Sequence, residues 1–316
     1  MKIIRKEFIM AEPTPTPQCH ASTVGILRDG TVVSAWFGGT KEGENDVGIW
    51  VSRRENGIWS APALVSAERD IPHFNPVLFS ETDKTLTLFY KVGFKISEWK
   101  TMITESADGG KTWSIPRELV SGDESGGRGP VKNKPIIVSN GTILAPASTE
   151  NGPWRCFIDV LAADGVWHKK HIPVSDSMTN LNVIQPTLWE QPEGHIHALM
   201  RSNMAYVCES HSTDYGETWS EIVLTDIPNN NSGIDCVLAE NGNIVLVCNP
   251  VAQHAGARTP LSIYLSEDNG ETFRKILDLE TEPGEYSYPA VVSKGNKVYI
   301  TYTYKRENIM FCEIEL

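Results

Sequence analysis

The sequence predicts an all-β fold, a β-propeller of six blades, from a repeat of about 53 residues, a recurring turn motif and many short strands. Five aromatic residues mark the repeat at intervals of 54, 54, 52 and 54 residues, namely Trp59, Trp113, Trp167, Trp219 and Phe273. This period divides the 316 residues into six units. A repeat of this length that is rich in strands is typical of one propeller blade.

The turn motif has the pattern Ser-x-Asp-x-Gly-x-Thr followed by Trp or Phe, and it occurs at 106–113, 212–219 and 266–273. The two other aromatic positions keep only the glycine and the tryptophan. An aspartate here can accept hydrogen bonds from its own turn, the glycine permits positive φ, and the ring can pack between sheets. We therefore expect Asp108, Asp214 and Asp268 to be structural and to lie outside any active site.

The strands of each unit alternate apolar and polar residues or run apolar, are rich in β-branched residues, and show no helical period. The second strands are the clearest, at 31–37, 85–92, 142–147, 195–201, 243–248 and 297–304. The sixth unit lacks a complete last strand. We predict that residues 2–9 supply it by pairing with residues 311–316, which closes the ring and removes exposed sheet edges.

Length and charge limit the classes of function. A closed propeller of this length buries enough apolar surface to be stable as a single domain, residues 1–316, without disulfides or metals. The net charge of -12 opposes binding to nucleic acid or to an anionic membrane, because both need clustered Lys and Arg. An acidic small-molecule substrate is compatible with this charge, since a few arginines inside a cleft can outweigh a diffuse negative surface.

The sequence shows neither a signal peptide nor a membrane span, so we expect a cytoplasmic protein. Its six cysteines stand singly, mostly in strands, which indicates buried thiols in a reducing compartment. His195 and His197 alternate on a strand without a nearby Cys or His, which favours packing over zinc binding. We expect no cofactor and no metal, and the sequence is compatible with a homo-oligomer.

A polar or ionisable residue precedes the apolar first strand of every unit, at intervals of 50 to 59 residues. These positions are His20, Asn75, Lys134, Gln185, Asp235 and the segment from Tyr286 to Pro289. In a propeller the first strands line the central channel, and six strands can aim side chains at one ligand at its mouth. We therefore predict a ligand site there.

The repeated Asp turns and the residues around them resemble the sialidase superfamily of six-bladed propellers, in particular the BNR-repeat branch often labelled predicted neuraminidase. The resemblance spans essentially the whole chain. It implies three arginines for a substrate carboxylate, an Asp as acid and base, and a Tyr nucleophile assisted by a Glu. On matching motifs, Arg201 and Arg258 resemble the second and third arginines, Asp46 the acid and base, and Tyr286 the nucleophile.

The chain departs from that pattern at two positions. The segment Cys19-His20-Ala21-Ser22 stands where the first arginine is expected, and Gln185 stands where the assisting glutamate is expected. A phenol is a poor nucleophile unless a base removes its proton, and an amide cannot accept one at neutral pH. Sialic acid is therefore not the expected substrate. His20, Lys134 and Arg306 together with the two arginines favour an anionic or polyhydroxylated sugar.

Two tyrosines compete for one role. Tyr286 and Tyr288 lie two residues apart, so in a regular strand both point to the same side, towards the channel. The Tyr-Ser context favours Tyr286, whereas the Tyr-Pro context favours Tyr288, because the latter repeats Asn75-Pro76 and Gln185-Pro186. Both alternatives stay open.

Three functions fit these residues. The first is a glycoside hydrolase acting on terminal sugars, in which Asp46 protonates the leaving oxygen, Arg201 and Arg258 hold the sugar, and a tyrosine stabilises the oxocarbenium-like centre. The second is a polysaccharide lyase, in which a tyrosine or His20 removes the proton beside a uronate carboxylate. The third is a glycan-binding propeller without catalysis. In each case the expected partner is a carbohydrate.

Overall fold

The computed structural model describes residues 1–66, 70–80, 85–163 and 165–316. Six antiparallel sheets form a ring, which confirms the predicted six-bladed β-propeller. Within each sheet the strands follow chain order from the axis outwards, except that the first strand of the chain, β1 (Lys2–Phe8), is the outermost strand of blade VI. No helix among the described residues is long and apolar enough to cross a membrane.

The strand bounds are as follows. Blades I and II contain β2 (Gln18–Ile26), β3 (Val32–Gly39), β4 (Gly48–Glu55), β5 (Ile58–Trp59), β6 (Ala63–Leu64), β7 (His73–Ser80), β8 (Leu86–Val92), β9 (Lys100–Ser106) and β10 (Arg117–Glu118). Blades III and IV contain β11 (Ile136–Ile137), β12 (Ile143–Thr149), β13 (Arg155–Leu161), β14 (Trp167–His171), β15 (Val183–Glu190), β16 (Ile196–Ser202), β17 (Tyr206–Ser212) and β18 (Val223–Pro228). Blades V and VI contain β19 (Asp235–Leu238), β20 (Ile244–Cys248), β21 (Leu261–Ser266), β22 (Arg274–Glu280), β23 (Tyr286–Lys294), β24 (Lys297–Tyr304) and β25 (Asn308–Glu315). Two short 3-10 turns lie at Ile96–Glu98 and Asp176–Met178.

Ring closure occurs where it was predicted. Strand β1 pairs antiparallel with β25, from Lys2 opposite Glu315 to Phe8 opposite Met310. The pairing covers the outer edge of blade VI, so β25 has a hydrogen-bonded neighbour on both sides.

Apolar side chains fill the spaces between neighbouring blades, with one buried cluster at each of the six interfaces. The ring aromatics of the turn motif belong to these clusters: Trp113 packs between blades I and II, and Trp219 between blades III and IV. All six cysteines are buried free thiols, as predicted.

The aspartates of the turn motif serve their own turns, also as predicted. Asp268 accepts bonds from the backbone N–H and hydroxyl of Thr272 and from the hydroxyl of Ser266. These bonds lower the pKa of Asp268 to about 2. The motifs follow the ends of the third strands, on the face of the ring opposite to the starts of the first strands.

A β-bulge recurs at the start of the first strand in blades I, II, IV and VI. Each bulge inserts one extra residue, and that residue has a left-handed backbone: Ala21 (φ 54°), Asn75 (φ 45°), Gln185 (φ 56°) and Tyr288 (φ 53°). A bulge redirects the side chains on either side of it. The expectation that Tyr286 and Tyr288 point to the same side is therefore wrong, because alternation holds only in a regular strand.

Candidate active site

The mouth of the channel is formed by the starts of the first strands and the ends of the second strands. Antiparallel pairing sets Gln18 opposite Gly39 in blade I and Tyr286 opposite Tyr304 in blade VI, so both features lie at one end of the ring. The connections between second and third strands therefore all form the rim of the mouth, at 40–47, 93–99, 150–154, 203–205, 249–260 and 305–307.

Tyr288 lies at the centre of a cluster at this mouth. Its ring centre is 4.4 Å from that of His20. The guanidinium carbons of Arg201 and Arg258 lie 5.6 and 5.7 Å from the same ring centre. Blades I, IV, V and VI thus each bring one side chain to a single place, which is the convergence that the sequence predicted for His20, Arg201 and Arg258.

Arg201 is a buried cation without an anionic partner among the residues that the structure describes. Its side chain extends from β16, beside the bulge at Gln185, and only 7% of the residue is exposed. Among the described residues no carboxylate lies within ion-pair distance of it, and its buried Nε has no hydrogen-bond partner. Burying an unpaired charge is unfavourable, so such a group is a candidate for binding an anion of a ligand.

Arg258 and Arg306 share one internal carboxylate, that of Glu285. Nη1 of Arg258 donates to Oε1 of Glu285 at 2.7 Å, and Nε of Arg306 lies 3.1 Å from both oxygens. Burial would raise the pKa of Glu285, but the two arginines hold it below its ordinary value. Arg306 also pairs with Glu42 of the first rim loop. Both arginines are therefore at the mouth but already partly neutralised.

His20 lies beneath Tyr288 as a buried, neutral imidazole. It is 2% exposed, and its Nδ1 shares a hydrogen bond of 2.9 Å with Oγ1 of Thr303. Burial and then the positive charges of Arg306, Arg258, Arg201 and Lys132 hold the pKa of His20 well below its ordinary value. Nδ1 of His20 also lies 3.9 Å from Oε1 of Glu285, but burial and the four cations still favour the neutral imidazole.

Lys134 and Asp235 form a structural pair inside the channel, which corrects their expected role in substrate binding. Nζ of Lys134 lies 3.1 Å from both carboxylate oxygens of Asp235. The hydroxyl of Thr187 and the backbone N–H of Val291 donate to the same carboxylate at 2.7 and 2.8 Å. Asp235 is 1% exposed, and its two oxygens join blades III, IV, V and VI through these bonds.

Lys132, which the sequence analysis did not select, lies beside this pair. Its Nζ donates to Oδ1 of Asn133 and to the backbone carbonyls of Ile234 and Pro289. Burial lowers the pKa of Lys132 to about 7. Three acceptors on one ammonium indicate that this lysine ties the walls of the channel together.

Tyr286 is part of the apolar core between blades V and VI, which corrects its expected place in the channel. It is 1% exposed, and its ring lies 5.2 Å from that of Tyr304. Burial raises the pKa of Tyr286. Of the two tyrosines, Tyr288 is therefore the one that lies at the mouth.

Asp46 lies on the exposed rim loop of blade I. Its Oδ2 accepts bonds from the backbone N–H of Thr40 at 2.9 Å and from the Thr40 hydroxyl at 2.6 Å. Asp46 thus shapes its own loop, and its role as an acid stays a prediction.

Asn75 and Gln185 both occupy bulges at the mouth and are buried. Gln185 donates its backbone N–H to the hydroxyl of Ser148 at 3.3 Å. Its side-chain Oε1 is buried without a partner among the described residues. Gln185 follows Ile184, the register partner of Arg201, at the position where the resemblance implied a carboxylate.

Glu150 is a half-buried carboxyl group that sequence analysis missed. It lies in the rim loop of blade III, two residues after Ser148, which contacts Gln185. Burial raises the pKa of Glu150, and the charge of the nearby Arg201 opposes the rise. The side chain belongs to no repeated motif. The only signal in the sequence is an acidic residue directly after a second strand.

Two arginines, a histidine and a tyrosine thus converge on the mouth of a six-bladed propeller. The family model for the BNR repeat-like domain matches residues 30–300, so the chain belongs to this family. A comparison with curated protein sequences finds no match.

Several solved structures share the fold at low sequence identity. The Hadza microbial sialidase Hz136 is 16% identical with a TM-score of 0.78, over 95% of this chain and 66% of that protein. A protein of unknown function from Dyadobacter fermentans is 14% identical with a TM-score of 0.81, over 100% and 99% of the two chains. The Trypanosoma rangeli sialidase, in complex with the inhibitor DANA, is 14% identical with a TM-score of 0.74, over 99% and 58%. The chain thus spans less than two thirds of the length of two of these relatives, and the likeness establishes the fold.

Proposed function

We propose that the protein is a glycoside hydrolase of the sialidase-like kind, acting on a terminal oligosaccharide sugar that carries a carboxylate. The observation that carries this proposal is Arg201, whose buried guanidinium group stacks on Tyr288 and pairs with no carboxylate among the described residues. Two parallel N–H groups of an arginine match the two oxygens of a carboxylate. Sialidases of similar fold support the reaction class.

In this proposal each side chain of the cluster has one task. Arg201 binds the sugar carboxylate and orients the ring of the sugar. Tyr288 presents its hydroxyl oxygen to the anomeric carbon, where positive charge develops as the glycosidic bond breaks. His20 packs against the ring of Tyr288 from below and holds its orientation. Arg258, positioned by Glu285, adds positive charge beside the Tyr288 ring.

The reaction then consists of two displacements. The oxygen of Tyr288 bonds to the anomeric carbon as its phenolic proton passes to solvent water, the bond to the leaving oxygen breaks, and that oxygen receives a proton from an acid at the mouth. Tyr288 takes a proton back from solvent when it is displaced in the second step. Asp46 is the acid that the resemblance implies. Water next displaces Tyr288 and releases the free sugar, and the acid recovers its proton from that water.

The test is a panel of oligosaccharides and aryl glycosides that end in sialic acids, in uronic acids or in the matching neutral sugars. We expect release of a reducing monosaccharide from carboxylated members and little from neutral ones. Chromatography of the products measures this. Equal rates on acidic and neutral sugars would contradict the role of Arg201.

A second candidate is a polysaccharide lyase, and two neighbouring features favour it. His20 is held neutral beside Tyr288, and Gln185 lacks the carboxylate that a tyrosine nucleophile needs. In this case Arg201 neutralises a uronate carboxylate while Tyr288 or His20 removes the adjacent carbon-bound proton, and the bond to the leaving oxygen breaks. The product then carries a new double bond. Ultraviolet absorbance that rises as uronate chains shorten would support the lyase, whereas binding without turnover by calorimetry would support a glycan-binding propeller.

A further inference from the structure

We propose that Asn230 is a positioning residue, which holds the rim loop at 249–260 in the conformation that brings Arg258 to Tyr288. Asn230 lies in the segment 229–233, which connects the outermost strand of blade IV with the first strand of blade V. The effect of Asn230 on turnover rests on the proposed hydrolase function, whereas its hold on the loop does not.

The carboxamide of Asn230 bonds directly to the residues that precede Arg258. Its Nδ2 donates to the backbone carbonyl of Ala257 at 2.6 Å and to that of Gly256 at 3.1 Å. Its Oδ1 accepts the backbone N–H of Ser232 at 3.1 Å. Two carbonyl acceptors require the amide nitrogen, which donates, on this side of the carboxamide. Because Asn230 is buried, little water competes for these bonds.

The backbone of the loop has an unfavourable conformation where it meets Asn230. Ala255 is left-handed, with φ 54°, and its N–H donates to the backbone carbonyl of Asn230 at 3.1 Å. An alanine keeps this conformation only where its surroundings impose it. Asn230 thus contacts three successive residues, 255–257, directly before Arg258, and we infer that these contacts impose the turn.

A second buried asparagine closes the base of the loop. Nδ2 of Asn249 donates to the backbone carbonyls of Pro260 and Tyr286, each at 2.9 Å. The backbone N–H of Tyr286 in turn donates to the carbonyl of Arg258 at 3.0 Å. The loop is therefore attached to blade VI at its base, and Asn230 attaches it to the channel wall in the turn before Arg258.

The segment that carries Asn230 also packs against Tyr288. A Cβ added at Gly233 would lie 3.4 Å from both Cα and Cγ of Tyr288 and 3.0 Å from Cε of Lys132. The segment 229–233 therefore contacts Tyr288 itself and the loop that carries Arg258. The distance of 5.7 Å between the Arg258 guanidinium carbon and the Tyr288 ring centre thus depends on how this segment holds the loop.

Trypsin can test the loop without any sugar substrate, because the segment 249–260 contains one cleavage site, after Arg258. Asn230→Asp keeps the shape of the side chain but places a carboxylate oxygen against the two carbonyls that the amide now binds. We expect cleavage after Arg258 in the full chain to become at least about 10-fold faster, measured by mass spectrometry of the fragments. The control Asn241→Asp makes the same change in an exposed turn of blade V at the opposite face, and it should keep the wild-type cleavage rate.

A cycle of single and double variants tests whether Asn230 affects turnover through Arg258. On a carboxylated aryl glycoside we expect kcat/KM to fall about 10²-fold in Asn230→Asp, because the guanidinium group is displaced from the ring. When Arg258→Met is already present, the same substitution should change kcat/KM by about 2-fold or less, because the group that Asn230 positions is gone. A purely structural effect would lower kcat/KM equally in both backgrounds.

Cleavage after Arg258 at the wild-type rate in Asn230→Asp would overturn the role, and so would equal losses of kcat/KM in both backgrounds. If Asn230→Asp is cleaved throughout the chain and is therefore unfolded, Asn230→Ala replaces it, since alanine removes the donor without adding a charge. Asn230→Ala must then be cleaved selectively after Arg258, and its failure to do so would overturn the role. A wild type that cleaves no sugar of the panel would contradict the hydrolase proposal alone, because the trypsin comparison still decides whether Asn230 holds the loop.

Discussion

The guanidinium carbon of Arg201 in blade IV lies 5.6 Å from the centre of the Tyr288 ring in blade VI. Arg258 lies 5.7 Å from the same ring centre, so two cations lie close to the phenol ring. Cations attract the negative face of an aromatic ring, so such contacts orient the ring. This arrangement separates Tyr288 from Tyr286, whose ring is enclosed in the core between blades V and VI.

Replacing Tyr288 by Phe should abolish turnover, since the proposed reaction forms its covalent bond at the Tyr288 hydroxyl. We expect kcat to fall by at least about 10³-fold, with substrate binding largely kept. The matched variant Tyr286→Phe should keep its activity and change the unfolding free energy by about 1 kcal/mol, the value of one hydrogen bond. Steady-state kinetics and thermal unfolding measure both. A larger loss of activity in Tyr286→Phe than in Tyr288→Phe would reverse the assignment.

Replacing Arg201 should weaken binding of the acidic sugar selectively. A charge-assisted hydrogen-bonded pair contributes about 1.5–3 kcal/mol, so Arg201→Met should raise KM for a carboxylated substrate about 10 to 150-fold. A neutral analogue of the same sugar should show no such change. Arg117→Met is the control, because Arg117 is exposed in an outer strand. Equal losses on acidic and neutral sugars would contradict carboxylate binding by Arg201.

The repeat made the fold predictable, whereas the site was predictable only in part. Residues 297–304, predicted as a strand, match β24 at both ends, because each blade repeats the same local pattern. His20 and Arg201 reach the mouth as expected. Tyr286 does not, because a bulge breaks the alternation that the prediction assumed. The ion pair of Lys134 with Asp235 joins residues of different blades, and a local sequence pattern does not predict a contact between blades.

Glycine is required at position 270 by both backbone angle and space. Gly270 has φ +92°, and an added Cβ would lie 2.7 Å from the Trp189 ring. Gly141 has φ +88°, but no atom lies within 4 Å of an added Cβ. A substitution at Gly141 therefore measures the cost of the backbone angle alone. We expect Gly141→Ala to lose about 1 kcal/mol and Gly270→Ala at least about 2 kcal/mol, measured by urea unfolding. Equal losses would contradict the steric contribution of Trp189.

Burial of His20 should make stability depend on pH. Its folded pKa lies below the unfolded value, so the unfolded chain binds a proton below pH about 6.5 that the folded chain does not. The contribution of His20 to the free energy of unfolding is therefore fully present above that pH. It falls as the pH drops, by up to about 1.4 kcal/mol per pH unit. Denaturant unfolding between pH 7.5 and about 5.5 measures this slope. His20→Asn should reduce the slope, and His254→Asn, in an exposed loop, should not; equal slopes in all three proteins would contradict the prediction.

Removing β1 should open the ring at its outer seam. Deletion of residues 1–8 leaves the β25 edge, eight residues with a mostly buried pattern, without its hydrogen-bonded neighbour. An unpaired apolar edge strand can pair with another chain, so we expect a lower Tm and association that increases with concentration. Calorimetry and light scattering measure the two effects. A synthetic peptide of residues 1–9 should reverse both effects, and a scrambled peptide should not. A truncated protein that stays monomeric with the wild-type Tm would show that closure by β1 contributes nothing to stability.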